Sequence, residues 1–179
     1  MYLGPKERYK NETFTISSVE MPTMPKIFSN DKDGVMAQKE HGTCSVPVQD
    51  NFRFGAKREL GDRISCYNRF FAEPAGYYQS TAFEKEVRAA GQITFYDSVT
   101  GKPLFIAPKD RSVDEFLAES KTHGWPSFRD QEVVWENVKI LADGETVSVD
   151  GTHLGHNLPD GNRRNRYCIN LVSIAGQNL

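Results

Sequence analysis

The sequence has few of the features that mark specialised classes of protein. Its three cysteines are too few and too widely spaced for a disulfide scaffold, and it contains no CxxC pair that could bind zinc. It has no run of 18 apolar residues, and its mean hydropathy is −0.57, which argues against a membrane span. The formal net charge of −2 provides no basic patch for nucleic acid. We therefore expect a soluble protein that binds neither membranes nor nucleic acids.

The amino-terminal residues MYLGPKERYK carry charges but no apolar segment typical of a signal peptide. The compartment is therefore not determined, and we expect either a cytoplasmic protein or an organellar one from which a targeting segment has been removed. We also expect a monomer.

The first half of the chain, residues 1–90, is rich in Pro, Gly, Asn and Asp, which predicts long connections between few regular elements. Residues 12–20 alternate well enough to form a strand. Residues 64–78 are dense in aromatic side chains, so we expect them to pack on the following domain. A short helix is predicted to begin after a capping box of Ser80 or Thr81 with Glu84 and to end at Gly91.

The second half, residues 91–179, carries sharper signals. Strands are predicted on both sides of a turn near Gly101, and Ser112 with Glu115 predicts a capped helix over residues 112–122. Further strands are predicted at EVVWENVKIL, at TVSVDGTHL and at YCINLVSIA. Five strands and two short helices joined by tight turns predict a mainly β domain of antiparallel strands with the helices outside.

The chemistry-bearing residues are concentrated near the carboxyl end. On a strand, Arg166, Cys168 and Asn170 place their side chains on one face, where the guanidinium favours the thiolate form of the cysteine. His153 and His156 approach from the preceding segment. A thiolate, two imidazoles and an amide on one surface indicate a nucleophile with proton donors beside it.

Other interpretations of these residues stay open. The ligand types of His153, His156 and Asp160 would also suit a metal site, although an HxxH loop is weak evidence for one. For Cys44 and Cys66, burial as small hydrophobic residues is at least as good an interpretation as a redox role.

Four features of the sequence resemble the B-type methionine sulfoxide reductases. They are GWPSF at residues 124–128, HLGH at residues 153–156, Asp160 four positions after the second histidine, and RYCIN at residues 166–170. They occur in the family's order and span roughly residues 93–176. The resemblance implies two antiparallel sheets that meet at an angle in a β-tent, with short peripheral helices. It also implies thiol-dependent reduction of methionine-R-sulfoxide, free or in peptides, to methionine.

The resemblance assigns a role to each matching residue. Cys168 matches the thiol that attacks the sulfoxide sulfur and becomes a sulfenic acid, while His153, His156 and Asn170 match its catalytic partners. The residues that match the substrate-binding positions are Trp125, Asp160, Arg166 and Phe128.

The chain also departs from the family pattern. Where many members carry four zinc-binding cysteines, this sequence has Asp97, Thr100, Val147 and Asp150, so we expect no structural zinc and no other metal or bound cofactor. His123 stands where some relatives keep a resolving cysteine. Resolution then requires Cys66 or Cys44, or an external thiol, with a thioredoxin-like dithiol as the reductant.

An alternative to the enzyme is a non-catalytic β-tent module that binds a ligand, because fold alone does not determine function. A module that had lost catalysis would have no chemical reason to keep Cys168 together with both histidines and Asn170. The enzyme is therefore the favoured hypothesis. A metal hydrolase ranks last, because a thiol and an arginine share the pocket.

Overall fold

The computed structural model describes residues 34–67 and 70–179 of the chain. In these residues the protein is mainly β, with two antiparallel sheets and three α-helices. The strand predicted at residues 12–20 lies outside the described residues.

The first sheet is a hairpin of two strands, β1 (Ile93–Tyr96) and β2 (Pro103–Ala107). Its turn is organised by Asp97, whose carboxylate accepts the backbone N–H groups of Val99 and Thr100 at 2.8 and 3.3 Å. Gly101 has a φ of +74°, a conformation in which a side chain would be strained. The hairpin predicted near Gly101 is confirmed.

The second sheet has five strands and carries the chemistry-bearing residues. Its strands are β3 (Ser127–Phe128), β4 (Val138–Ile140), β5 (Glu145–Ser148), β6 (His153–Asn157) and β7 (Tyr167–Ile169). The spatial order is β3-β7-β6-β5-β4, and every neighbouring pair is antiparallel. The strand β7 therefore lies between β3 and β6.

The three helices are α1 (Arg58–Asp62), α2 (Phe83–Ala90) and α3 (Val113–His123). The capping box of Ser112 and Glu115 is present at the start of α3, as predicted. The box predicted before α2 is wrong, because a 3-10 turn at Tyr77–Ser80 delays the start of that helix to Phe83. Among the described residues, no helix is long and apolar enough to cross a membrane.

Two predicted strands are shorter than expected. In EVVWENVKIL only Val138–Ile140 is a strand, because the side chain of Asn137 bonds the carbonyl of Pro103 at 2.8 Å and holds the preceding residues in a loop. In YCINLVSIA the strand stops at Ile169, and the chain turns into a 3-10 helix at Leu171–Ser173.

The hydrophobic core joins both halves of the chain. Phe54, Tyr78 and Phe83, from before residue 90, lie in the same buried cluster as Phe95 and Phe116. These edge-on and tilted ring contacts bury large apolar areas. The aromatic segment at residues 64–78 is thus packed at its ends, since Ile64 is 1% exposed and Tyr78 is fully buried, whereas Phe70 and Phe71 remain exposed.

Candidate active site

One row of side chains crosses four strands of the larger sheet. In the antiparallel register, Ser127 lies opposite Cys168, Cys168 lies opposite His156, and His156 lies opposite Glu145. Directly opposed residues of antiparallel strands place their side chains on the same face. A hydroxyl, a thiol, an imidazole and a carboxyl therefore line up across β3, β7, β6 and β5.

An irregularity between β5 and β6 adds His153 to this face. Thr146 pairs with Gly155, but the next residue, Val147, pairs with His153, so Leu154 is an extra residue in β6. Without such a bulge, residues three apart on a strand point to opposite faces. The extra residue therefore turns His153 and His156 towards the same side of the sheet.

A cavity of about 170 Å³ opens over this face. Its lining combines the polar residues of the site with apolar side chains from the first half of the chain and from the loop after β6. The lining residues are Phe70, Phe71, Ala72, Trp125, His153, Gly155, His156, Leu158, Cys168 and Asn170.

Cys168 is the free cysteine of the site and is 8% exposed. Its Sγ lies 3.9 Å from Oγ of Ser127. Burial raises the pKa of the Cys168 thiol, while Ser127 and the guanidinium of Arg166 act in the opposite direction. Arg166 therefore acts in the direction expected from the sequence, but burial has the larger effect on the pKa of Cys168.

The ring of His153 is held on both sides. Its Nδ1 lies 3.2 Å from the carbonyl oxygen of Ile64, and its Nε2 lies 3.4 Å from Oε1 of Glu145. The carbonyl can only accept, so Nδ1 carries the proton of that hydrogen bond. These contacts fix the orientation of an imidazole that is 5% exposed.

His156, by contrast, is exposed and lies over the turn between β4 and β5. A Cβ at Gly144 would lie 2.9 Å from its Nε2, and Gly144 has a φ of +92°. The positive φ favours glycine in this turn, and the imidazole of His156 lies close above it. Of the two histidines, His156 is the one exposed to solvent, and it also lines the cavity.

Trp125 and Asn170 are fixed by the same residue, Glu73. The indole Nε1–H of Trp125 donates to the carbonyl oxygen of Glu73 at 2.9 Å. Asn170 accepts from the N–H of Glu73 at 2.8 Å through Oδ1 and donates to the carbonyl of Leu154 at 3.0 Å through Nδ2. Both polar functions of the Asn170 amide thus have a protein partner.

Two residues predicted to bind substrate lie elsewhere. Phe128 is fully buried and stacks on Phe105 with ring centroids 4.3 Å apart, which makes it part of the core. Asp160 forms ion pairs with Arg129 at 3.0 Å and Arg164 at 3.2 Å and does not line the cavity. Burial acts to raise the pKa of Asp160, but hydrogen bonds from backbone N–H groups and from Arg129 together lower it to about 2.

Arg166 lies beside the site rather than in the cavity wall. Its charge acts on Cys168, and it also lowers the pKa of His123, for which burial is the larger cause. The Nε–H of Arg166 is buried and has no hydrogen-bond partner among the described residues. The positive charge of Arg166 therefore acts both on His123, at the end of α3, and on the thiol of Cys168.

Cys44 and Cys66 are bonded to each other in a disulfide. Both are buried, at 0% and 1% exposure. In this state neither has a thiol that could react with a sulfenic acid at Cys168. The sequence does not predict this pairing, because a spacing of 22 residues does not indicate which loops come together.

Of the four positions at which the sequence resemblance led us to expect no zinc ligands, Asp97, Thr100 and Asp150 take part in hydrogen bonds or an ion pair, and Val147 is buried in an apolar cluster. The buried carboxylate of Asp97 accepts from the hydroxyl of Thr152 at 2.9 Å, which ties the hairpin turn to the start of β6. Lys102 and Asp150 form an ion pair at 3.0 Å nearby. Among the described residues, no group of three or more His, Cys, Asp or Glu side chains is arranged to hold a metal ion.

Sequence reasoning missed several residues of the site, namely Ser127, Glu145, Leu158, Phe70, Phe71 and Glu73. Ser127 lies within the GWPSF motif, so its strand position was the signal that could have identified it. Glu73 is 97 residues from Asn170 in the chain, and no local pattern joins them. No model of a known protein family matches the chain, and no curated protein matches it.

Proposed function

We propose that this protein reduces methionine-R-sulfoxide, free or in peptides, to methionine by thiol chemistry at Cys168. The observation that carries the proposal is the row in which Cys168 and His156 lie opposite each other at the edge of a cavity lined by Trp125. The resemblance of GWPSF, HLGH and RYCIN to the B-type methionine sulfoxide reductases supports the same reaction.

The reaction balances with the groups at hand. The sulfur of Cys168 attacks the sulfoxide sulfur, the S–O bond of the substrate breaks, and the oxygen moves to the cysteine as a sulfenic acid. The substrate sulfur is reduced by two electrons and the cysteine sulfur is oxidised by two. The proton lost by the thiol ends on the transferred oxygen, so a thiol with a raised pKa still supplies the proton that the product requires.

The surrounding side chains serve this transfer. A sulfoxide oxygen is a poor leaving group until it is protonated. We assign the relay of this proton to His156, whose exposed imidazole lines the same cavity as Cys168. His153 lies on the same face of the sheet, and its ring is held in one orientation by the carbonyl of Ile64 and by Glu145. The flat ring of Trp125 forms an apolar wall for the S-methyl group, and such a wall opposite polar groups selects one sulfoxide epimer.

The reductant is an external dithiol of the thioredoxin type, since Cys44 and Cys66 are already oxidised to a disulfide. The proposal also includes a zinc-free domain in which the two sheets form a β-tent. The cluster of Asp97 and Thr152 supports this, because hydrogen bonds there join the same two turns that thiolate zinc would join.

Single-turnover reduction of a methionine sulfoxide dipeptide tests the proposal. Each epimer is incubated with wild type and with Cys168→Ser in the absence of reductant, and free thiols are counted before and after. We expect wild type to consume one equivalent of the R epimer only and to lose its one free thiol, and Cys168→Ser to consume none. If neither epimer is reduced even with excess dithiothreitol, the enzyme proposal fails, and ligand binding in the cavity becomes the function to test.

A further inference from the structure

One buried carboxyl of the first half of the chain takes no part in the chemistry above. Glu73 is 1% exposed and precedes the exposed residues Pro74 and Ala75. Burial raises its pKa to about 7, although the N–H groups of Leu171 and Val172 act in the opposite direction. A buried carboxyl is costly unless its oxygens are well bonded, so its partners indicate what it does.

The backbone of Glu73 holds two side chains of the cavity wall. Its N–H donates to Oδ1 of Asn170 at 2.8 Å, and its carbonyl accepts the indole N–H of Trp125 at 2.9 Å. Asn170 follows β7, and Trp125 precedes β3, so a single residue joins the ends of two neighbouring strands.

The carboxylate of Glu73 holds the turn that follows β7. Oε1 accepts the N–H of Leu171 at 2.8 Å, and Oε2 accepts the N–H of Val172 at 3.1 Å. These are the first N–H groups of the 3-10 helix at Leu171–Ser173, and such groups have no partner within the helix. An amide in place of the carboxylate has only one accepting oxygen, so one N–H would then lie against a donor.

We propose that Glu73 is a positioning residue of the candidate active site, which sets the placement of Trp125 and Asn170 around Cys168. This inference rests on the proposed sulfoxide reduction and deepens it. Glu73 is not part of the cavity lining, so it acts through these two side chains and touches no substrate. The segment before residue 90 is thereby a functional part of the site and not only a cover for the core.

Three variants test the role of Glu73 in the full-length protein. Glu73→Gln keeps the size of the side chain and removes one acceptor. Glu73→Asp keeps both oxygens but shortens the reach by one methylene. Glu136→Gln makes the same chemical change at an exposed position and is the matched control. For each, kcat and KM are measured on the R epimer of a methionine sulfoxide dipeptide, and the melting temperature is recorded.

The two indole N–H groups provide a second measurement that does not depend on activity. The indole of Trp125 donates to the backbone carbonyl of Glu73, a residue whose side chain is anchored by Leu171 and Val172, whereas the indole of Trp135 donates to the carbonyl of Asp130 at 3.0 Å. In ¹H–¹⁵N spectra, Glu73→Gln is expected to shift the Trp125 indole signal and to speed its hydrogen exchange. The Trp135 signal, as an internal control, is expected to stay where it is.

A folded Glu73→Gln protein with kcat/KM about 10- to 100-fold below wild type, and with a changed Trp125 signal, supports the positioning role, because small misplacements cost rates of this size. Wild-type kinetics with a wild-type Trp125 signal overturn it, and so does a lowered melting temperature without any change in kinetics. If Glu73→Gln does not fold, Glu73→Asp decides by the same criteria. If wild type reduces neither epimer, the proposed function fails, and the Trp125 signal alone decides whether Glu73 positions the cavity wall.

Discussion

His156 on β6 lies directly opposite Cys168 on β7, and the two side chains share the face of the sheet on which the cavity opens. This pairing is set by the register of two neighbouring strands and not by the sequence distance between the residues. An exposed histidine on β6 and a buried thiol on β7 thus line the same cavity.

Replacing His156 by Gln is expected to reduce kcat for the R epimer by roughly 10²- to 10⁴-fold, the contribution typical of a general acid or base. The amide keeps the size of the side chain but cannot transfer a proton at neutral pH. Steady-state kinetics with dithiothreitol measure the effect. His41→Gln, outside the cavity lining, serves as the control. A kcat within a factor of about two of wild type for His156→Gln would remove His156 from the proton transfer.

The reactivity of Cys168 should respond to Arg166. Because the guanidinium lowers the thiol pKa against the larger effect of burial, Arg166→Gln is expected to move that pKa still higher. The rate of alkylation by iodoacetamide, followed as a function of pH, reports the thiolate and should rise at a more alkaline pH in the variant. The two other cysteines are in a disulfide, so the signal comes from Cys168 alone.

Arg166→Lys keeps the positive charge and is the matched control for this measurement. It should shift the alkylation profile less than Arg166→Gln does. An unchanged profile in Arg166→Gln would show that burial alone sets the thiol pKa.

The pH dependence of stability should reveal the raised pKa of Glu73. Its pKa is about 7 in the folded protein and 4.5 in the ordinary carboxyl, so the folded state binds this proton more tightly than the unfolded state. The contribution of Glu73 to the free energy of unfolding is fully present below pH 4.5 and is lost as the pH rises through 7. This loss is on the order of 3 kcal/mol. Urea unfolding between pH 4 and 8 measures it.

In Glu73→Gln this part of the pH dependence should disappear. Burial also raises the pKa of Asp97, which therefore contributes to the pH dependence in the same direction and is present in both proteins. Comparing the two slopes therefore isolates Glu73, and parallel slopes would contradict its raised pKa.

Loss of the disulfide should destabilise the fold. Cys44 and Cys66 close a loop of 22 residues, and replacing both by Ser is expected to lower the free energy of unfolding by about 3 kcal/mol. Unfolding in urea measures the change, with wild type in dithiothreitol as a second comparison. The Ile64 carbonyl that holds His153 lies two residues before Cys66, so kcat should also fall. A fully stable double variant would mean that the loop is held by its packing alone.

Local patterns in the sequence were sufficient for several elements. The capping box at Ser112 and Glu115 defines the start of α3, because both hydrogen bonds form within four residues. The hairpin at β1 and β2 follows from a turn that needs a positive φ at Gly101. The alternation of Arg166, Cys168 and Asn170 predicts three side chains on one face of a strand. In the structure, Cys168 on β7 and Asn170 just after it line one cavity, whereas Arg166 does not.

Other features depend on which distant segments meet, and only the tertiary structure decided them. The extra residue in β6 that turns His153 beside His156 arises from pairing with β5, which the spacing of HLGH does not encode. Burial raises the pKa of Cys168 although an arginine stands two positions before it, because desolvation depends on what covers the thiol. The bonds of Glu73 to Trp125 and Asn170, and the pairing of Cys44 with Cys66, likewise form between segments far apart in the chain. Short-range periodicity determines which face a side chain takes, but long-range packing determines what that face meets.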